Sequence, residues 1–543
     1  MKKIFIILFM LLIPFVMTGC SEKEDGLVLR IYNWQDYIDE GVDEEGQTTG
    51  TSVMEDWQKW YFETYGVEVD IVYDTFETNE VMMNTLKTGK TTYDLICPSE
   101  YTIQKMIRLN MLDTFDYELK DNKGNLIMDN FNYVSPYLKQ LFIDKGWDKY
   151  AVPYMWGTMG FIYNADIIDE EDIKHWSILW DKNYKNMATS KDSIRDTYVV
   201  GVMYVYYDEL MNLRSQYENG EISLDIYNKK IGEIMNRCDQ ETLDKVEKAL
   251  KEMKNNVYGF EVDSGKSDIV TGKVSINFAW SGDAVYSLDI AEEERGLYLN
   301  YQVPEEGSNV WFDGWVMPKG ANKELAQSFV NYLCGPEIAV RNMNYIGYTS
   351  SIAGDDILDM IDDWYGAILP EFNEETQTWF YDEVNLNISD SSLEVNIKDN
   401  EIYLGENKVI SLLENIKDDD GTPYSEYYLC TYYEVDLTYF FEGAVSDEYI
   451  SEDGKIYVAV EERGRQFDTQ YPDYETVARC GIMEDFGDQN DAVLAMWENV
   501  KIGDIPIAIT IVLLVFIVVC FATLNIKKYV KYRQRRNRRK ETF

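Results

Sequence analysis

Apolar and polar positions in the first hundred residues follow two periods in turn, one typical of strands and one typical of helices. The segment LVLRIYNW (27–34) predicts a strand, and VMEDWQKWYFETYG (53–66) spaces its apolar residues as a helix does and stops on a glycine. The succession continues as strand, helix and strand in VEVDIVYDTF (67–76), NEVMMNTLKTGK (79–90) and YDLICPS (93–99). This order predicts an α/β chain whose neighbouring strands are parallel.

The pattern changes twice farther along the chain. Residues 150–354 continue to mix predicted strands with helices, the clearest helices being those over 198–211, 241–254 and 322–335. Between about 355 and 470, apolar and polar residues alternate singly, which predicts strands of a partly exposed sheet. Residues 471–503 return to helical spacing. We therefore predict a β-rich module inserted before a C-terminal helical part.

The first twenty residues predict a secretory leader. Lys2 and Lys3 precede an apolar run from Ile4 to Met17, and Thr18-Gly19-Cys20 follows it. The Gly-Cys ending resembles a bacterial lipoprotein signal, in which Cys20 becomes the lipidated first residue. The ligand-binding part of the chain is then expected outside the cytoplasm.

A second apolar run near the C-terminus predicts a transmembrane helix. Residues 505–526 are uncharged and long enough to cross about 30 Å of hydrocarbon, although a buried helix is the alternative interpretation. The tail that follows, 527–543, contains nine Lys or Arg residues, which predicts a cytoplasmic location. The membrane is therefore an expected partner.

The charge of the chain excludes some partners. Among 543 residues, 97 Asp and Glu stand against 50 Lys and Arg, for a net charge of −47. Nucleic acid is disfavoured because phosphate binding needs a basic surface. An acidic surface attracts cations, although solubility alone is an alternative reason for it. The seven cysteines lack CxxC spacing, so at most one disulfide is expected.

The sequence does not read as that of an enzyme. His175 is the only histidine, which argues against Ser-His-Asp catalysis and multi-histidine metal sites. Neither GxxxxGK[ST] nor GxGxxG occurs in a suitable context, and no cofactor or metal is predicted. Glycoside hydrolysis by a pair of carboxylates is not excluded, because acidic residues are abundant throughout the chain.

An aromatic residue and an acidic residue recur together at predicted strand ends. The four cases are Trp34 with Asp36 and Tyr37, Glu100 with Ser99 and Tyr101, Trp280 with Asp283, and Trp311 with Asp313. Aromatic faces attract ammonium groups, at about 0.5–2 kcal/mol per contact, and carboxylates form charge-assisted hydrogen bonds with them. Any one of these aromatics alone is better explained as a core or rim residue, and only the repetition favours a pocket for an extended organic cation.

Several motifs in order resemble the solute-binding proteins of spermidine/putrescine ABC transporters. They are YNWQDYI (32–38), YDTFETNEVMMNTLKTGKTTYDLICPSEYTIQKM (73–106), YAVPYMWGTMGFIYN (150–164), DSIRD (192–196), INFAWSGDA (276–284), VWFDGWVMPKGA (310–321) and YIGYTSS (345–351). The resemblance implies a two-lobed α/β periplasmic-binding-protein fold of type II that closes around one polyamine and performs no chemistry. It also implies delivery of the polyamine to the permease subunits of the transporter.

The resemblance also implies which side chains bind the ligand. They are Trp34, Gln35, Tyr37, Ser99, Tyr101, Arg195, Asp196, Trp280, Trp311, Asp313 and Tyr348. Asp313 and Asp196 are the expected ammonium anchors. Two positions depart from the family pattern: Ser193 stands where some members have an additional Asp, and Met483 where a Gln is expected.

The expected layout combines the periodicity with the resemblance. It consists of a signal peptide (1–20), lobe 1 (21–150), lobe 2 (151–300), a return to lobe 1 with the hinge (301–354), the β-rich module (355–470), the helical end of lobe 2 (471–503), the transmembrane helix (505–526) and the basic tail (527–543). The alternatives are a protein of the same fold that binds or senses another cationic solute, and an extracellular hydrolase.

Overall fold

The computed structural model describes residues 26–42, 47–89, 91–418, 420–428 and 430–502. These residues form two compact units. Unit 1 contains the described residues up to Met155 together with Phe312–Ile361 and Thr438–Ile456, and unit 2 contains Trp156–Trp311, Asp362–Leu437 and the described residues from Tyr457 onward. The predicted signal peptide, the lipidation site Cys20 and the basic tail 527–543 lie outside the described residues.

Residues 27–302 contain both strands and helices. Residues 27–145 form β1 Leu27–Trp34, α1 Val53–Tyr65, β2 Val69–Phe76, α2 Asn79–Thr88, β3 Leu95–Ile96, α3 Glu100–Arg108, β4 Leu112–Asp113 and α4 Pro136–Lys145. Residues 151–302 form β5 Ala151–Asn164, α5 Glu170–Ile173, β6 Ala188–Lys191, α6 Ile194–Val205, α7 Tyr207–Glu218, α8 Leu224–Met235, α9 Gln240–Lys254, β7 Gly259–Glu261, α10 Ser264–Val270, β8 Ile276–Trp280, α11 Ser281–Arg295 and β9 Leu299–Gln302.

The remaining elements run from residue 310 to residue 502. Residues 310–365 form β10 Val310–Pro318, α12 Lys323–Leu333, α13 Pro336–Ile346, β11 Thr349–Ser350 and α14 Asp355–Tyr365. Residues 371–502 form β12 Glu371–Asn373, β13 Thr378–Tyr381, β14 Val384–Asn385, β15 Val395–Lys398, β16 Glu401–Leu404, β17 Asn407–Lys408, α15 Val409–Leu413, β18 Tyr433–Asp436, α16 Thr438–Phe441, β19 Tyr457–Val460, α17 Gln466–Gln470, α18 Tyr474–Ala478 and α19 Asn490–Ile502.

The sheet of unit 1 has the strand order β2-β1-β3-β10. Strand β1 pairs in parallel with β2 over its whole length and with β3 through Ile31 and Tyr32. Strand β10 runs antiparallel to β3, with Val316 opposite Ile96. The carboxyl ends of β1 and β3 therefore lie at the same edge as the beginning of β10 in this unit.

Local signals explain the first helix of unit 1. Ser52 and Glu55 form a capping box, in which each side chain accepts a hydrogen bond from the backbone N–H of the other. The helix ends at Gly66, whose φ of 69° is left-handed and suits a glycine. Its buried Trp57 packs edge-to-face on Phe329 of α12. This packing fixes a helix against the core that supports β1.

The sheet of unit 2 has the strand order β5-β8-β6-β7. Strands β6, β7 and β8 are parallel neighbours, and β5 pairs antiparallel with both β8 and β9. On one face, the ring of Trp176 packs edge-to-face against Phe161 of β5 and Phe278 of β8. Three parallel strands of unit 2 thus end at one edge, and α6, α10 and α11 begin there.

Residues 355–470 contribute to both units. Residues 355–361 and 438–456 belong to unit 1, where the Ser135 hydroxyl donates a 2.6 Å hydrogen bond to the carbonyl of Phe440. The other residues of this segment belong to unit 2, where the strands form the small sheets β12-β13-β14, β15-β16-β17 and β18-β19. The first two sheets share an apolar cluster of their own: Trp379, Tyr381, Val384, Leu386, Ile402, Leu404, Val409, Leu413 and Cys430.

Two compact α/β units agree with the predicted two-lobed fold, but the predicted C-terminal transmembrane helix requires correction. Among the described residues, no helix combines the length and the apolar character needed to cross a membrane. The segment 505–526, on which that prediction falls, lies outside them. The transmembrane helix is therefore not a part of the fold that the structure supports.

The cysteines in the described part of the chain are free thiols. They are Cys97, Cys238, Cys334, Cys430 and Cys480.

Candidate functional site

A buried carboxylate lies at the edge of the sheet in unit 1. Asp313, near the beginning of β10, is 7% exposed, and its Oδ2 accepts a 2.8 Å hydrogen bond from the hydroxyl of Tyr37. Tyr37 itself is 5% exposed. In turn, the hydroxyl of Tyr154 donates to the carbonyl of Tyr37 at 3.0 Å. These contacts hold one acidic group and two aromatic rings in a defined arrangement.

The sheet topology explains why these residues meet. Strand β1 ends at Trp34, and Asp36 in the following turn has a left-handed φ of 51°, which reverses the chain before Tyr37. Ser99 and Asp313 form an isolated antiparallel bridge, and the N–H of Gly314 donates to the carbonyl of Pro98. The loops after two parallel strands therefore converge on the start of an antiparallel one, as expected at the carboxyl edge of an open sheet.

Asn79 joins two of the predicted ligand residues. Its Nδ2 lies 3.1 Å from the Ser99 hydroxyl and 2.8 Å from the Tyr101 hydroxyl, and both hydroxyls accept from it. The Asn79 side chain is buried at the first position of α2. Glu100, between the two hydroxyl residues, is buried and accepts from the N–H of Phe312. Its carboxylate is thus engaged within unit 1.

Further aromatic rings lie in the same part of unit 1. The ring of Tyr348 packs edge-to-face on Tyr37 at a centroid distance of 5.2 Å. The indole of Trp34 is half-buried and packs on Phe76 at 4.5 Å. Gln35 is exposed in the turn between Trp34 and Tyr37. Thus Tyr37 and Tyr348 are in direct ring contact, whereas Trp34 rests on the end of β2.

The environment of Tyr37 keeps its hydroxyl protonated. Burial raises the pKa of Tyr37 well above its ordinary value, and the nearby Asp313 carboxylate raises it further. The same two causes, burial and then Asp313, raise the pKa of the Cys97 thiol. Tyr37 and Cys97 therefore stay neutral, and Tyr37 acts as a hydrogen-bond donor to Asp313.

In unit 2, Trp311 is fixed by close packing. Its indole N–H donates a 3.0 Å hydrogen bond to the carbonyl of Thr158, and its side chain is buried. A glycine allows this approach: a Cβ on Gly157 would lie 2.1 Å from Ser281 Oγ and 2.8 Å from Cζ2 of Trp311. Trp311 is thereby held rigidly against β5, as an aromatic wall requires.

Trp280 faces a cation of the chain itself. It ends β8 and caps α11, and its side chain is half-buried. The ammonium of Lys191 lies 4.3 Å from the centre of its ring and 3.1 Å from Oδ2 of Asp283. The acid–aromatic pair Trp280 and Asp283 is thus already engaged by a lysine.

Arg195 and Asp196 begin α6 but have different surroundings. The Arg195 guanidinium is buried, donates to Asn236 Oδ1 at 2.6 Å and stacks 3.9 Å from the ring centre of Phe486. Asp196 is 7% exposed, and its backbone N–H donates to the Ser193 hydroxyl. Arg195 therefore ties α6 to α8 and to the segment around Phe486.

Met483 is fully buried in the same segment of unit 2. Its N–H donates to Asn309 Oδ1 at 2.9 Å. In the described part of the chain, no group of three or more His, Cys, Asp or Glu side chains is arranged to hold a metal ion.

Sequence reasoning missed Asn79 and Lys191. Asn79 stands inside the quoted motif at 73–106, but nothing in that motif marks it as the donor to Ser99 and Tyr101. Lys191 directly precedes the DSIRD motif, and nothing in the sequence there distinguishes it from a solvated lysine.

Comparison with known proteins identifies the family. The model of the bacterial extracellular solute-binding proteins matches residues 53–356. The spermidine/putrescine-binding periplasmic protein of Salmonella typhimurium is 28% identical over 332 residues, which cover 61% of this chain and 79% of that protein. The putrescine-binding periplasmic protein PotF of Escherichia coli is 25% identical over 336 residues, which cover 60% of this chain and 77% of that protein.

Among solved structures, the spermidine/putrescine ABC transporter substrate-binding protein PotD of Streptococcus pneumoniae is similar. Its identity to this chain is 29%, the match covers 60% of this chain and 84% of that one, and the TM-score is 0.43. The family model covers more than half of the chain and includes the loops around Ser99, Asp196, Trp280 and Asp313. The chain belongs to the family of bacterial extracellular solute-binding proteins.

Proposed function

We propose that this chain is the solute-binding receptor of an ABC importer and that its ligand is a polyamine, spermidine or putrescine. The observation that carries the proposal is the Asp313 carboxylate, which is buried and accepts a hydrogen bond from Tyr37, whose ring in turn packs on Tyr348. A carboxylate in such a setting favours a cationic partner, because a charge removed from water needs an opposite charge. The neighbouring aromatic faces suit the methylene links of a polyamine.

The names of the relatives support the choice of ligand. The matching proteins of Salmonella typhimurium and Escherichia coli are spermidine/putrescine-binding and putrescine-binding periplasmic proteins, that is, binding proteins rather than enzymes. We extend the ligand class to this chain because the aromatic–acid motifs fall within the matched region. The receptor would act outside the cytoplasm and deliver its ligand to the permease subunits of the importer.

The candidate residues other than Trp280 then have defined roles. Asp313 anchors one ammonium group, and Asp196 anchors a second. The hydroxyl residues and aromatic residues that line and fix the ligand are Trp34, Tyr37, Ser99, Tyr101, Trp311 and Tyr348. Gln35 contributes as an exposed amide at the rim. Arg195 acts through its contacts with Asn236 and Phe486, and so positions the start of α6 with Asp196.

Calorimetric titration of the full-length chain with spermidine and putrescine tests the proposal. We expect saturable heat with at least one of the two at micromolar protein. The uncharged diol 1,4-butanediol is the matched control, because it keeps the four-carbon link of putrescine and lacks its ammonium groups. Absence of heat with both polyamines would contradict the proposal. Saturable binding of agmatine or arginine in their place would support the alternative of another cationic solute.

A further inference from the structure

Three parallel strands of unit 2 bring charged and aromatic residues to one edge. Strand β6 ends at Lys191, and its parallel neighbour β7 ends at Glu261, directly paired with Lys191 in the register. On the other side of β6, the parallel strand β8 ends at Trp280. Because parallel strands end at the same edge, the three side chains are adjacent although up to 89 residues separate them.

The ammonium of Lys191 is enclosed by this arrangement. Lys191 is 1% exposed, and its Nζ lies 3.1 Å from Asp283 Oδ2 and 3.4 Å from Glu261 Oε1. The same nitrogen donates to the carbonyl of Val262 at 3.2 Å and lies 4.3 Å from the ring centre of Trp280. Two carboxylates, a carbonyl and an indole therefore surround one cation.

Electrostatics favour the charged form of this lysine. Burial disfavours the ammonium, but the carboxylates of Asp283 and Glu261 outweigh that effect, and the pKa of Lys191 is raised. A further cation, Lys266, lies 3.8 Å from the other oxygen of Asp283 and is more exposed. The ammonium of Lys191 thus occupies the cation position on the indole of Trp280.

This constellation has the chemistry expected of an ammonium subsite for a ligand. We infer that Lys191 determines specificity: its ammonium fills the cation position between Trp280, Asp283 and Glu261 and closes that position to the ligand. The inference rests on the proposed function and narrows it. With this position closed, two of the proposed ammonium anchors are left, Asp313 and Asp196, and their number matches the two ammonium groups of a diamine. The chain therefore favours a diamine such as putrescine over a triamine such as spermidine.

A charge-matched double variant tests the inference. Lys191→Met with Glu261→Gln replaces the lysine by an unbranched side chain that is one heavy atom shorter and so opens the position of the ammonium. It leaves Asp283 charged and preserves the net charge of the three groups. The control is Glu261→Gln alone, which retains the lysine. Calorimetry of full-length proteins gives the affinity ratio of spermidine to putrescine. We expect this ratio to rise roughly three- to thirty-fold in the double variant, as one recovered cation–π contact implies, and to stay within about twofold of wild type in the control.

Two results would overturn the inference and leave the proposed function standing. One is polyamine binding by wild type and double variant with the same affinity ratio. The other needs no variant: a crystal structure of the wild-type chain with putrescine in which a ligand nitrogen, rather than Lys191, lies on the Trp280 ring. The wild-type crystal structure decides the matter even where the double variant fails to fold. Absence of polyamine binding by the wild type is a different result, which removes the proposed function and the inference with it.

Discussion

The hydroxyl of Tyr37 donates a 2.8 Å hydrogen bond to Oδ2 of Asp313, although 276 residues separate the two in the chain. Both side chains are almost fully buried, so the carboxylate depends on this donor in place of water. This hydrogen bond joins the turn after β1 to the start of β10. The strength of this link has consequences both for the stability of unit 1 and for ligand binding.

Tyr37→Phe removes the donor and leaves the aromatic ring. We expect the free energy of unfolding to fall by about 1–3 kcal/mol, because one oxygen of a buried carboxylate loses its hydrogen bond. Urea denaturation of the full-length chain, followed by fluorescence, measures the change. Tyr133→Phe is the matched control, since Tyr133 is an exposed tyrosine of unit 1. Equal stability of the two variants would show that Asp313 does not rely on Tyr37.

Asp313→Asn removes the charge and keeps the shape of the side chain. The amide oxygen can still accept from Tyr37, so we expect the fold to be retained while polyamine affinity falls by about 1–3 kcal/mol, or roughly five- to 150-fold in Kd. Isothermal calorimetry measures the loss. Asp36→Asn makes the same charge change on an exposed neighbour and should alter Kd by less than about twofold. A larger loss for Asp36→Asn would move the ammonium anchor from Asp313 to Asp36.

Periodicity could predict the sheet framework because strands and helices differ in their apolar spacing. The predicted strand 27–34 coincides with β1, and the helix predicted to stop on Gly66 ends there. The helix predicted over 198–211 is instead two helices, α6 and α7, separated at Tyr206. Neither glycine nor proline marks that break, and apolar residues continue on both sides, so the pattern contained no signal for it.

Side-chain partners at the site were less predictable, because they depend on which strands pair. The aromatic–acid pattern identified Asp313 and Trp280 as residues at strand ends. The pattern could not reveal that Tyr37 donates a hydrogen bond to Asp313, or that the ammonium of Lys191 lies on the ring of Trp280. Both contacts follow from strand order and register. A sequence pattern gives the face of each strand, whereas the neighbours across the sheet come from the folded topology.

Gly157→Ala tests the rigid support of Trp311. The new methyl group would overlap Ser281 Oγ and the indole, so we expect the free energy of unfolding to fall by about 1–3 kcal/mol and polyamine affinity to fall as well. Gly259→Ala is the matched control, because Gly259 also lies in a strand of unit 2 and a Cβ there meets no atom within 4 Å. Chemical denaturation and calorimetry of both variants measure the effects. Unchanged stability and affinity in Gly157→Ala would mean that Trp311 has room to move.

The single histidine provides a pH-dependent contribution to the stability of unit 2. Nδ1 of His175 lies 3.0 Å from Oε2 of Glu306, whose side chain is fully buried, and Oε1 of Glu306 accepts from the N–H of Trp176. The hydrogen bond with Glu306 raises the pKa of His175, and partial burial opposes that shift only in part. The imidazole of His175 thus binds its proton more strongly in the folded chain than in the unfolded chain.

The sign of the pH effect follows from this raised pKa. The stabilisation is fully present below the unfolded pKa of about 6.5 and is lost as the pH rises through the pKa of the folded state. NMR can follow this titration directly, since the chain has one imidazole. We expect it to titrate above about pH 6.5 in the wild type and closer to that value in Glu306→Gln. The urea midpoint of the wild type should fall as the pH is raised from about 6, and it should fall less over the same pH range in the His175→Gln variant. An imidazole that titrates below about 6.5 in the folded wild-type chain would contradict the role assigned to Glu306.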